Sequence, residues 1–126
     1  MIQSLHQVML YVDHQEEVIQ FWTDKVGFKV IAENSLPENF KSVEIAPHQD
    51  AETSLVLFDK AFIKKYSPMV SLETPSLMFN VNDAEALHNE YKAKGINVGE
   101  LTEMPGMKVF NFSDPDDNYF AVMEQL

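Results

Sequence analysis

Apolar and polar residues alternate along residues 5–12 (LHQVMLYV), with Val8, Leu10 and Val12 on one side and Gln7, Met9 and Tyr11 on the other. A period of two is what a strand imposes on its two faces. The period then lengthens. Val18, Phe21 and Trp22 recur at helical spacing, which predicts a helix from a cap at Asp13 or His14 to about Lys25, closed by Gly27. Phe28–Ala32 reads as the next strand, ENSLPENF (33–40) as a loop, and Ser42–Ala46 with Thr53–Phe58 as a hairpin around PHQDAE. Residues 59–75 hold Pro68, Pro75 and a short helix-like run, AFIKKY, and read as a connector. Beyond it Leu77, Phe79 and Val81 form one strand face and Ser76, Met78 and Asn80 the other. Asn82 or Asp83 is placed to cap a helix carrying Ala84, Leu87 and Tyr91, which Gly95 closes. Ile96–Val98 is expected as a short strand, and Lys108–Phe112 with Tyr119–Glu124 as a final hairpin around SDPDDN. In that run Asp and Asn bond their own backbone and Pro fixes φ, so it is a turn; it lacks the alternation and distal Glu of a calcium loop.

Two stretches of this pattern match each other. VMLYVDHQEEVIQFWTDKVGFKV (8–30) and LMFNVNDAEALHNEYKAKGINV (77–98) each give a strand, a polar corner, an amphipathic helix with a late aromatic, then Gly and a β-branched residue. Val8 aligns with Leu77 and Gly27 with Gly95, with one residue lost between them. The order is β-α-β-β-β twice, an α+β chain of one domain: module 1 at about 1–58, a linker at about 59–75, module 2 at about 76–126. A duplicated unit is expected to build its site at the seam between the copies.

The strand faces suggest what such a site would offer. One face is apolar throughout (Leu10, Val12, Leu55, Leu57, Phe120 and Val122 among others) and is expected to meet the helices. The other is mixed. It carries Gln7, Met9, Tyr11 and Phe58 from the first copy and Ser76, Met78, Asn80 and Met123 from the second. Adaptable Met, aromatic rings with polar tips and a few amides suit a small-molecule cavity. In this reading Gln7 and Asn80 orient a ligand, Tyr11 donates or stacks, and the rest exclude water.

Composition narrows the partners. Nine basic against twenty acidic residues give a net charge of −11, which disfavours nucleic acid, since phosphate contacts need a basic face. A cationic ligand is compatible with that charge. The absence of cysteine removes disulfides, thiolate nucleophiles and Cys-held zinc. No apolar run approaches the roughly 20 residues of a membrane span. The start MIQSLHQVMLYVDHQ has no basic segment and carries polar residues throughout, unlike a signal peptide. A cytoplasmic protein is expected.

The chain resembles the vicinal oxygen chelate superfamily, which includes glyoxalase I, extradiol dioxygenases, fosfomycin-resistance proteins and bleomycin-binding proteins. The resemblance rests on the two repeats, on ETSLVLF (52–58), and on VFNFSDPDDNYFAVME (109–124), in which an Asp-Pro turn is followed by Asn-Tyr-Phe. It implies paired βαβββ modules whose curved mixed sheets form a cleft. It also implies, for the enzymes, one divalent metal held by His or Gln on the first strand, Glu on the fourth, His on the first strand of module 2 and Glu on its last. Laid on this sequence, those positions fall on Gln7, Val56, Ser76 and Ala121. Val and Ala have no lone pair to give, and an amide with a hydroxyl would hold a divalent metal poorly.

Few other residues offer the missing ligands. His6 points away from Gln7's face unless a one-residue bulge swaps the two, and His14, His48 and His88 are far apart in the chain, read as surface or capping residues. Glu44 is the one carboxylate placed to face the cleft from the third strand, the preferred alternative being a solvated edge position, and Glu124 reads as lying beyond the cavity. Ser54 and Ser76 have no His–Asp pair beside them in sequence, and the four glycines form no phosphate cradle. TEMPGMK (102–108) is either a lid or a Pro-Gly turn. The reading that follows is a metal-poor protein binding a small cationic or amphipathic molecule in an apolar cavity. The resemblance to the bleomycin-resistance branch adds the expectation of a homodimer. No cofactor is expected. The alternative is a divalent-metal-dependent glyoxalase-type lyase or dioxygenase.

Overall fold

The computed structural model describes all residues, Met1–Leu126. The chain divides into two compact units, Met1–Glu73 and Thr74–Leu126. Each is a four-stranded mixed sheet backed by helix, and the two sheets have the same strand order.

In the first unit β1 (Gln7–Val12) is followed by α1 (Gln15–Gln20). Glu16 and Glu17 lie in the first turn of α1, where the helix dipole favours negative charge. The expected side-chain cap at His14 does not form. The helix is held from its second side instead: Gln15 Nε2 donates to Lys41 O (2.9 Å) and Leu57 O (3.0 Å). It continues as a π-helical turn, Phe21–Val26, and stops at Gly27, whose φ of 91° is left-handed. Val18, Phe21 and Trp22 are its buried face. The Trp22 ring packs on Phe28 at 4.9 Å between centroids.

Strands β2 (Lys29–Ser35), β3 (Lys41–Ala46) and β4 (Ser54–Asp59) complete the sheet in the order β1-β4-β3-β2. β1 and β4 are parallel and the other pairs antiparallel. Leu10, Val12, Val43, Ile45, Leu55 and Leu57 are all buried on the helix side. The segment expected as a connector carries α2 (Lys60–Tyr66), capped by the Asp59 carboxylate accepting from Ala61 N at 2.8 Å. This helix packs against β4 and β1 inside the first unit.

The second unit repeats the plan. β5 (Met78–Asn80) is shorter than the alternation predicts, so Ser76 and Val81 lie outside it. Asp83 caps α3 (Ala84–Ala93) by accepting from Ala86 N (3.0 Å). Glu124 Oε1 takes the Ala84 N–H at 2.9 Å. Glu124 therefore serves the helix side of its strand. Ile96–Val98 is not a strand; one isolated bridge joins Val98 to Phe112. The strand there is β6 (Thr102–Met104), folded against β7 (Met107–Ser113) through Pro105-Gly106 with Met104 opposite Met107. TEMPGMK is thus a tight hairpin, not a lid. Gly106, at φ 81°, supplies the conformation its turn requires. β8 (Tyr119–Gln125) lies between β7 and β5, parallel to β5, giving the order β5-β8-β7-β6. In the DPDDN turn Asp114 Oδ1 accepts from Asp116 N and Asn118 N, and Oδ2 from Asn118 Nδ2, each at 2.9 Å. Burial pushes the Asp114 carboxyl up, against these three donors. Phe110, Phe112, Phe120 and Tyr91 form the aromatic core of this unit.

Candidate functional site

The face of the first sheet opposite α1 is built by register. Gln7 lies beside Ser54, Met9 beside Val56 and Tyr11 beside Phe58. On the next strand Glu44 lies opposite Val56 and Ser42 opposite Phe58. Directly opposed side chains on one face have Cβ atoms about 5 Å apart, so these residues touch or nearly touch. Tyr11 and Phe58 meet edge to face, with centroids 6.1 Å apart. Phe58 leads on to Phe62 of α2, nearly parallel to it at 6.2 Å, and Phe62 in turn packs on Phe40 and Tyr66. Met9 is 41% exposed; Gln7, Tyr11 and Phe58 are half-buried.

Within this face stands one carboxylate. Glu44 is half-buried, and its Oε2 accepts from Ser54 Oγ at 2.7 Å. Because β3 runs between β4 and β2, this is an interior strand and not the solvated edge that the sequence suggests.

The second sheet has a matching face. Met78 lies beside Ala121 and Asn80 beside Met123. Asn111 of β7 lies opposite Ala121, and Val109 opposite Met123. Met78 is 57% exposed, a large apolar group open to contact. Ser76 is exposed, precedes β5, and joins neither row. Of the eight residues expected to bind ligand, the first sheet groups Gln7, Met9, Tyr11 and Phe58, and the second groups Met78, Asn80 and Met123.

Val56 and Ala121 occupy equivalent places in the two sheets, each beside the methionine that the repeat aligns, Met9 and Met78. Val56 is 6% exposed. Neither side chain has a donor atom. Within neither unit do three His, Asp or Glu side chains come together as they would to hold a metal ion. His88 is occupied otherwise: its ring bonds Gly99 O at 2.8 Å and meets Phe110 edge to face. The donor set at these positions does not fit a divalent metal.

Comparison with known proteins fixes the lineage. The sequence model of the Glyoxalase/Bleomycin resistance protein/Dioxygenase superfamily matches residues 4–122. The chain belongs to this superfamily. It is 33% identical to the uncharacterized Bacillus subtilis protein YetH over 125 residues, covering 98% of this chain and 100% of YetH. Among solved structures it is similar to TnmS3, an antibiotic-binding protein from Streptomyces sp. CB03234. The TM-score is 0.82 and the identity 25%, covering 99% of this chain and 98% of that one. A superfamily member from Sphaerobacter thermophilus shares the fold, with TM-score 0.83 at 24% identity over 98% of each chain. Two βαβββ modules with mixed sheets are the fold that this superfamily membership implies. No helix is long and apolar enough to cross a membrane.

Proposed function

We propose that this member of the superfamily binds a small amphipathic molecule and does so without a catalytic metal. One observation carries the reading. The places where the superfamily resemblance expects metal-holding carboxylates are the hydrocarbon side chains of Val56 and Ala121, each with a methionine on one side (Met9, Met78) and a single polar residue on the other (Glu44, Asn111). A Lewis acid needs lone pairs around it. A ligand with apolar body and polar ends needs adaptable apolar contacts with a few fixed hydrogen-bonding groups, and the first sheet offers these in Met9, Tyr11, Phe58 and Gln7. The similarity to an antibiotic-binding protein supports small-molecule binding as the type of activity.

The test has two parts. Protein dialysed separately against Ni²⁺, Zn²⁺, Mn²⁺ and Fe²⁺ is analysed by elemental mass spectrometry, with Gln7→Ala as control. Far less than one equivalent is expected. Near one equivalent, lost in Gln7→Ala, would overturn the reading in favour of a metal-dependent enzyme. Bleomycin and a panel of aromatic amines are then screened by thermal shift. Any compound that raises the melting temperature is expected to bind Tyr11→Ala roughly tenfold more weakly, an aromatic contact plus its buried area. An unchanged Kd would remove Tyr11 from the binding face.

A further inference from the structure

Glu44 is the one carboxylate on the face of the first sheet opposite α1, where its neighbours are Val56, Met9, Ala32, Ser42 and Phe58. Its only hydrogen-bond partner is the Ser54 hydroxyl, and it takes part in none of the ion pairs of the first unit. The lysines of that unit that do form ion pairs serve other acids: Lys41 serves Glu16 and Glu33, Lys60 Asp13, and Lys65 Glu38. A carboxylate withdrawn from water among apolar side chains loses hydration that a single neutral hydroxyl does not restore. A cation brought to it offsets that loss, and more strongly than at a fully exposed site because the half-buried carboxylate is less screened by water. Two aromatic rings, Tyr11 and Phe58, lie two residues further along the same face, with π-surfaces that also attract cations.

The geometry points to Glu44 as the specificity-determining residue of the binding face, selecting ligands that carry an ammonium-type cation beside an aromatic or aliphatic body. This inference rests on the binding reading above and adds the charge of the ligand to it. Ser54 holds the carboxylate in place by donating to Oε2, which leaves Oε1 for the incoming cation. Glu44→Gln keeps an oxygen to accept from Ser54 while removing the charge, so the pair of side chains retains its shape.

The probes are benzyltrimethylammonium and neopentylbenzene, which have the same shape with and without the positive charge. Each is titrated into wild type and Glu44→Gln, with backbone amide chemical shifts of the 7–11, 42–46 and 54–58 segments as the readout. Melting temperatures of both proteins check the fold. Wild type is expected to prefer the cation by roughly tenfold, the worth of one partly screened ion contact with a cation–π contribution. In Glu44→Gln that preference falls towards one. Equal binding of the two probes to wild type overturns the inference and leaves the binding face standing. A preference that survives in Glu44→Gln also overturns it, by placing the charge recognition elsewhere. If neither probe shifts these segments, both the inference and the binding face fall.

Discussion

Tyr91 shows how one buried group makes stability depend on pH. Its ring is 4% exposed and meets Phe110 and Phe112 edge to face. Burial first, and the Glu90 charge second, push its phenol up to about 12 from an ordinary 10.0. The folded chain thus holds a proton that the unfolded chain releases at lower pH. Stability from this group is fully present below pH 10 and is lost as the pH rises through about 12. Two pH units correspond to about 2 to 3 kcal/mol. Urea unfolding of wild type and Tyr91→Phe at pH 9 and pH 12 checks this. Wild type is expected to lose about that much more stability than the variant; parallel losses would place the alkaline sensitivity in other groups. Glu44 differs in kind, since it forms no ion pair within the chain and a ligand is a natural source of a cation.

At the scale of elements, the twofold period was a reliable guide because burial follows it directly. Leu10 and Val12 are buried while Met9 before them is 41% exposed and Tyr11 between them half-buried, and Phe120 and Val122 alternate with half-buried Ala121 and Met123 in the same way. What the sequence conceals is non-local. In KSVEIA the glutamate falls on the polar side of an alternating strand, as it would at a wet edge; only the insertion of β3 between β4 and β2 makes it an interior residue. Thr102–Met104 has no apolar alternation, and its pairing comes from the Pro-Gly turn that folds it onto β7. The Gln15 staple was equally hidden, because its acceptors are backbone carbonyls 26 and 42 residues away. It compensates for the missing cap of a short helix. Gln15→Ala is expected to destabilise the fold by about 1 to 3 kcal/mol, the cost of two part-buried hydrogen bonds. Denaturant midpoints at unchanged m-value provide the measurement. A loss under about 0.5 kcal/mol would mean that water satisfies both carbonyls equally well.

For the whole molecule the decisive quantity is charge. Twenty acidic residues face nine basic ones, and all nine are lysines. Lysine is a hydrated point charge on a flexible stem, without the fork that lets arginine hold a carboxylate bidentately. The ion pairs that form are at the surface: Lys41 with Glu16 at 2.7 Å, Lys60 with Asp13 at 3.2 Å, Lys94 with Glu90 at 3.5 Å, and Lys65 with Glu38. The Glu16 carboxylate raises the Lys41 ammonium further into its charged range, yet exposed pairs of this type contribute little each. The unpaired excess of eleven negative charges repels itself in the compact state more than in the expanded one. Salt weakens both effects, so the sign of the salt response reveals which is larger. Raising NaCl from about 0.01 M to about 1 M shortens the screening length from about 30 Å to about 3 Å. The melting temperature is expected to rise by roughly 3 °C or more across that range, because repulsion outweighs four or five surface pairs. A fall would show that the lysine pairs dominate. The same screening would slow capture of a cationic ligand by the acidic surface, while contact with half-buried Glu44 would be screened much less. The association rate is therefore expected to drop with salt more steeply than the dissociation rate rises, in stopped-flow measurements on benzyltrimethylammonium or any tighter cation found by the screen.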